Sequence, residues 1–149
     1  MKYTAVIEIP RGSDRRIHMS YDKSGFIDLG PIKNEIPIND GVMPVAYGYL
    51  PLFMNKKEND EVDVIVFSKN KYKTGDNINI EILGMLTRED EDHKILAKDN
   101  TVIFESFLEI PPEERRLFLD YFGYKSKITA VDNKDVALKY LSGLNSDQK

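Results

Sequence analysis

Residues 3–9 alternate, with Tyr3, Ala5, Ile7 and Ile9 on one side and Thr4, Val6 and Glu8 on the other, and this period of two predicts a strand. Glu8 stands near its end, level with the apolar pattern, and Pro10-Arg11-Gly12-Ser13 predicts the stop. Residues 19–21 predict a short strand, Asp22-Lys23-Ser24-Gly25 a turn, and Phe26-Ile27 a return to extended chain. Residues 28–41 hold glycines and prolines with little periodicity and predict a loop. The proline-bounded, tyrosine-rich segment 43–51 predicts an irregular wall, with Tyr47 and Tyr49 as core aromatics or as hydroxyls turned into a site. Strands are predicted at 62–67 and 77–83 around a turn with Gly75 at its tip, and shorter ones at 94–97 and 101–104.

The pattern then changes to a helical period. Pro111-Pro112-Glu113-Glu114 puts prolines and acids in a first helical turn, Leu117, Phe118, Tyr121 and Phe122 give an apolar stripe, and Gly123 a stop. Residues 128–131 predict one more strand. Asn133 is placed to cap a final helix whose buried face is Val136, Ala137, Tyr140, Leu141 and Leu144, with residues 142–149 fraying. Short strands followed by helices predict a small β-barrel with helices packed outside it, in a single domain over residues 1–149.

Against this pattern one stretch stands out. Glu58, Asp60, Glu61 and Asp63 fall within six residues, and the last opens the apolar run 64–66. A carboxylate beside a core strand must be paired, hydrogen-bonded or bound to a cation. A solvated acidic turn is one reading, and a site for a hard divalent cation the other. A second acidic run, Glu89-Asp90-Glu91-Asp92, is closed by His93 and Lys94. If strands 62–67 and 77–83 are neighbours, the two runs meet at one end of the barrel, where like charges need cations between them. Arg11, Arg15, Arg16 and His18 form a basic patch, read as a solvated hairpin arm or as phosphate contacts.

Composition narrows the function. The chain has 149 residues, 41% of them hydrophobic, which is enough for a core. No run approaches the ~20 apolar residues of a membrane span. No basic segment followed by an apolar stretch opens the chain, so no secretory signal is expected. With no cysteine, disulfides and thiolate sites are excluded, in keeping with a cytoplasmic setting. A net charge of −4 argues against a general nucleic-acid binder, yet admits an anionic substrate where cations reverse the local charge.

In order and spacing, Glu8-Ile-Pro-Arg-Gly-Ser13, Tyr21-Asp-Lys-Ser-Gly25, Phe26-Ile-Asp28, Pro44-Val-Ala-Tyr-Gly-Tyr49, Asp60-Glu-Val-Asp-Val64, Gly84-Met-Leu86, Asp92-His-Lys94 and Tyr124-Lys125 resemble the family I soluble inorganic pyrophosphatases. The resemblance runs from about Val6 to about Leu141. It implies an OB-like five-stranded barrel, Mg²⁺-dependent hydrolysis of pyrophosphate to two phosphates, and a homo-oligomer, often a hexamer. Asp63 and Asp92 match metal-bridging aspartates, and Glu58 stands where the family has another aspartate ligand. Asp90, or Glu89 in a shifted register, matches the ligand of a substrate-borne metal, and Glu8 a carboxylate at an outer metal. Asp60 matches the acceptor of a proton from the attacking water. Lys94, Tyr124 and Lys125 match groups that hold phosphate, and Tyr47 a site tyrosine.

Other positions depart from the family. His18-Met19-Ser20 replaces Lys-Tyr-Glu, Leu29 an arginine, Met43 a tyrosine, Ala46 an asparagine and Asn133 a tryptophan. The metal carboxylates are largely kept while the phosphate grip is thinned. A non-catalytic descendant that binds a phosphorylated ligand or a divalent metal is therefore the alternative expectation. An OB-type oligonucleotide-binding module is a third, opposed by the acidic charge.

Overall fold

The computed structural model describes residues 3–20, 22–57 and 59–147. Five strands close a barrel in the order β1 (Tyr3–Ile9), β4 (Ala46–Asn55), β5 (Asp60–Phe67), β7 (Lys94–Lys98) and β6 (Asn77–Arg88), with β6 returning to β1. β8 (Ile128–Asn133) extends the sheet beyond β6, and β2 (Arg15–Met19) with β3 (Phe26–Pro31) forms a separate hairpin. Helices α1 (Pro112–Phe122) and α2 (Lys134–Asp147) pack outside. This is the OB-like, mainly β architecture with two C-terminal helices that the sequence predicts.

Alternation along the strands sorts the core into two layers. Val62, Val64 and Val66 of β5 join Ile95 and Ala97 of β7 in a cluster with Ala5, Ile7, Leu50 and Ile80, closed by Ala137 and Leu141 of α2. Ile65 and Phe67 face the other way with Leu96, into a cluster covered by Phe118, Tyr121 and Phe122 of α1. Asp63 has the parity of Ile65, and Lys94 that of Leu96, so both are carried to the α1 side of the barrel.

Several local expectations are corrected. β5 pairs with β7 and not with β6, and the β5–β7 pairing is parallel. Residues 46–51 belong to a ten-residue strand, β4, rather than to an irregular wall, with 43–45 leading into it. Pro51 is tolerated because the β4–β5 register breaks between Leu50 and Met54, where a missing N–H removes no ladder bond. The basic residues Arg15, Arg16 and His18 lie on β2 itself, upstream of the short strand expected at 19–21. Residues 101–104 form no strand. β6 runs on to Arg88, five residues past the expected end.

Both helices start as their sequences indicate, and α1 stops so. Pro112 opens α1, and Gly123 N–H closes it on the Leu119 and Tyr121 carbonyls. Asn133 Oδ1 accepts the Val136 N–H at 3.1 Å, capping α2. Leu138 packs on the barrel cluster where Val136 was expected, while Val136 is exposed. α2 also continues through residues expected to fray. Among the described residues no helix is long and apolar enough to cross a membrane.

Candidate functional site

The site is built where parallel β5 and β7 set Asp63 beside Lys94 in register. Lys94 Nζ donates to Asp63 Oδ2 at 2.5 Å and to Asp92 Oδ2 at 3.0 Å, so one buried ammonium joins both acidic runs. Burial by itself would lower the Lys94 pKa, but the charges of Asp63 and Asp92 win and raise it. Asp92 moves up, because burial and the nearby Asp63 charge outweigh the pull of Lys94. Tyr47, across the β4–β5 ladder, stacks on Phe122 with centroids 5.8 Å apart, and Lys94 Nζ sits 5.4 Å from its ring centre. Burial and the Asp63 charge push the Tyr47 hydroxyl far above its ordinary range, so it stays protonated.

A backbone irregularity delivers Glu8. The β1–β4 register shifts between Ile7 and Ile9, leaving Glu8 as the extra residue of a bulge opposite Gly48 and Tyr47. Gly48 is required there, since a Cβ on it would lie 1.8 Å from the Val6 carbonyl oxygen. The Glu8 side chain is only 3% exposed and is held by the hairpin. Its Oε2 accepts the Met19 N–H at 2.8 Å and lies 2.7 Å from His18 Nδ1. The bond to Glu8 raises the His18 pKa. The other ring nitrogen, Nε2, lies 3.4 Å from Asp60 Oδ2, so His18 spans two predicted site carboxylates. Asp60 also faces Lys23 at 3.5 Å. Burial alone would raise the Asp60 pKa, but the bond from Glu61 and the charges of Lys23 and His18 bring it down.

The cleft so formed has a volume of about 380 Å³. Glu8, Tyr47, Asp63, Asp90, Asp92, Lys94 and Lys125 line it, each a residue expected at the site. Asp90 lines it and Glu89 does not. Asp60 stands beyond the lining, reached through His18. Tyr124 is 52% exposed and lines a separate surface groove along residues 119–131. Glu58 lies outside the described residues, as does Tyr21.

The departures also have places. Ser20 does not line the cleft, and its hydroxyl is spent on the turn, donating to Asp22 at 2.7 Å and accepting the Ser24 N–H at 3.0 Å. Leu29 is 48% exposed on β3, away from the lining. Among the charged lining residues, Glu35 and Arg88 were not singled out by sequence, and Arg16 was read only within the basic patch. Arg16 meets Glu35 at 3.0 Å, Glu35 meets Lys125 at 3.4 Å, and Arg88 meets Asp90 at 3.2 Å. Arg88 was legible only in its spacing, two residues beyond Leu86, had β6 been extended that far.

The donor set is carboxylate oxygen throughout, the chemistry that suits a hard divalent cation. Among the described residues no three His, Asp or Glu side chains are gathered closely enough to hold one, because Lys94 and Arg88 stand among the acids. In its donor chemistry the site suits a hard divalent cation, and Asp63, Asp90 and Asp92 are the residues that would hold one.

Residues 5–145 match the family described as inorganic pyrophosphatase. No curated protein matches the chain by sequence. Among solved structures, the inorganic pyrophosphatase of Coxiella burnetii is 19% identical, with a TM-score of 0.83 over 99% of this chain and 95% of that one. That of Ehrlichia chaffeensis is 21% identical, with a TM-score of 0.83 over 96% and 92%. That of Thermus thermophilus is 18% identical, with a TM-score of 0.80 over 98% and 90%. At such identities the structures establish the shared fold, and the sequence match over nearly the whole chain establishes descent: the chain belongs to the inorganic pyrophosphatase family.

Proposed function

We propose that the protein hydrolyses inorganic pyrophosphate to two phosphates with the help of Mg²⁺. One observation carries this reading: Asp63 of β5 and Asp92, two residues before β7, converge on Lys94 in a cleft that also collects Glu8, Asp90 and Lys125. Asp63, Asp92 and Asp90 are the residues that would hold the cation, with Glu8 behind them and Glu58 as a further ligand by resemblance. The chemistry Mg²⁺ supplies when bound is neutralisation of phosphate charge and acidification of water. The chain does the rest. Lys94 and Lys125 hold phosphate oxygens, and the protonated Tyr47 hydroxyl donates to another. Asp60, ionised at neutral pH, accepts the proton of the attacking water, and His18 orients it from the Glu8 side. Tyr124 has a role here only if the loop after α1 turns its hydroxyl inward.

The setting expected from the sequence, a cytoplasmic homo-oligomer, belongs to the same reading. The test is phosphate release from pyrophosphate with and without millimolar Mg²⁺. Release that needs Mg²⁺ and collapses in Asp60→Asn supports it, and a folded sample with no turnover above background sinks it. A second reading, binding of a phosphorylated ligand without turnover, is favoured by Leu29, which leaves an arginine position of the family without charge, and by Ser20, which leaves a glutamate position without its carboxylate. Thermal stabilisation by pyrophosphate without phosphate release would select it.

A further inference from the structure

Among the described residues, two buried side-chain nitrogens have no hydrogen-bond partner, Arg88 Nε and Arg115 Nε. Arg115 lies on α1 and lines no part of the cleft. Arg88 ends β6 inside the cleft with its side chain only 10% exposed. Its backbone is fixed, since its N–H donates to His93 Nδ1 at 3.0 Å. One corner of the guanidinium is fixed as well, Nη2 donating to Asp90 Oδ2 at 3.2 Å. Nε–H, in contrast, meets no acceptor.

A buried ionised group with an open donor is costly, and native structures keep such donors where something completes them. The charge of Arg88 acts on Asp90, Asp92 and Lys94 alike, which places it in the same electrostatic pocket as the ammonium that joins β5 and β7. What completes it is an acceptor oxygen, and for an ionised guanidinium in a cleft an anionic oxygen completes it best. A guanidinium is suited to this task because its planar donors engage two oxygens of one phosphoryl group, where an ammonium acts as a point charge.

We propose that Arg88 is a substrate-binding residue that grips a phosphoryl oxygen of a diphosphate through Nε–H. It supplies from β6 a cationic contact in place of the lysine and arginine that His18 and Leu29 replace. Asp90 holds the guanidinium in the reach of the substrate until it binds. The assignment rests on the pyrophosphate reading for the identity of the substrate, and its own evidence is the buried donor.

Methylenediphosphonate, which keeps two phosphoryl-like groups and resists hydrolysis, is the probe. Calorimetric titration of wild type, Arg88→Lys and Arg88→Gln, with and without Mg²⁺, is read beside the melting temperature of each. Affinity in R88Q falls by about tenfold or more, while R88K, which keeps the charge and loses the planar donors, falls between. Unchanged affinity in folded R88Q overturns the proposal, and so does a lowered melting temperature with affinity retained, which marks a purely structural arginine. If the variants do not fold, wild type decides: the Arg88 Nε–H resonance, assigned through its own side chain, shifts as methylenediphosphonate is added. A resonance unmoved at saturation, or a probe that does not bind wild type, overturns the proposal. Absence of phosphate release by wild type defeats the pyrophosphatase reading alone, since the titration does not depend on turnover.

Discussion

Parallel strands β5 and β7 carry a buried polar cluster at each end, and the two ends are built on opposite terms. At the finish, Asp99 accepts from Ser68, Tyr72 and Thr101 hydroxyls, from the Thr101 N–H at 2.9 Å and from Asn70 at 3.2 Å. These donors are neutral and close by, and they tie the ends of both strands into one knot. At the start, Asp63, Asp92 and Asp90 meet Lys94 and Arg88, ionised groups from different strands, with one arginine donor left open. A carboxylate closed by short neutral donors serves the fold. Carboxylates set against too few cations, at a cleft, are arranged for something that arrives from solution.

The sharpest way to break the comparison is Asp60→Asn. Loss of a positioned proton acceptor lowers phosphate release by about 10²–10⁴-fold. Circular dichroism should meanwhile show a folded protein. Turnover within a few-fold of wild type would remove Asp60 from the reaction. Lys94→Met comes next. It leaves Asp63 and Asp92 facing each other across the strands without their ammonium, and breaking such a buried pair costs about 3–5 kcal/mol. The deficit should be largest in chelator and shrink in millimolar Mg²⁺. An equal melting temperature in both would show that those carboxylates do not take up a divalent cation.

Gly48→Ala tests how the bulge delivers Glu8. Forcing a Cβ against the Val6 carbonyl costs about 1–3 kcal/mol or more, and turnover per folded molecule should fall with it. Full activity in a destabilised G48A would separate the bulge from the site.

At the other end, Asp99→Asn costs about 1–3 kcal/mol at neutral pH and leaves KM unchanged. Burial works against ionisation of Asp99, but the hydroxyl donors, Ser68 first, hold its pKa below the ordinary carboxylate value. With a depressed folded pKa, its contribution to stability is present above the unfolded value near 4 and disappears as pH falls through the folded one. The gap in melting temperature between D99N and wild type therefore narrows on acidification through that window. A gap that stays constant would mean the charge is not what the hydroxyls hold. The smallest effect belongs to Leu29→Arg: on an exposed hairpin face stability changes by about 0.5 kcal/mol or less, and turnover changes little. A large gain in activity would show the hairpin folding over the substrate.

Much of the fold was legible because it is written locally. The alternation at Tyr3–Ile9, the prolines and acids opening α1, Gly123 and the Asn133 cap are short-range signals, and each element starts or stops where they indicate. β4 was illegible because its prolines suggest a break, and only the lapse of pairing between Leu50 and Met54 makes Pro51 harmless. The site was legible as a set of acids and lysines in family order. Their partners were not: the choice of His18 for Glu8, and of Arg88 for Asp90, joins residues through a bulge and a strand extension that pairing alone creates.

By itself the sequence determined which strand faces must be buried, where both helices begin and where α1 ends, and which carboxylates have to find a counter-charge. Those are properties of neighbours a few bonds apart. Only the tertiary structure decided that β7 enters beside β5 in parallel, so that Lys94 arrives level with Asp63 and Asp92 just ahead of it. It also decided that Ser20 and Leu29 turn away from the cleft while Arg88 turns into it. The physical reason is that strand order and register are fixed by closing the whole barrel around one core, and a side chain's charge partners are settled only once its strand has a place.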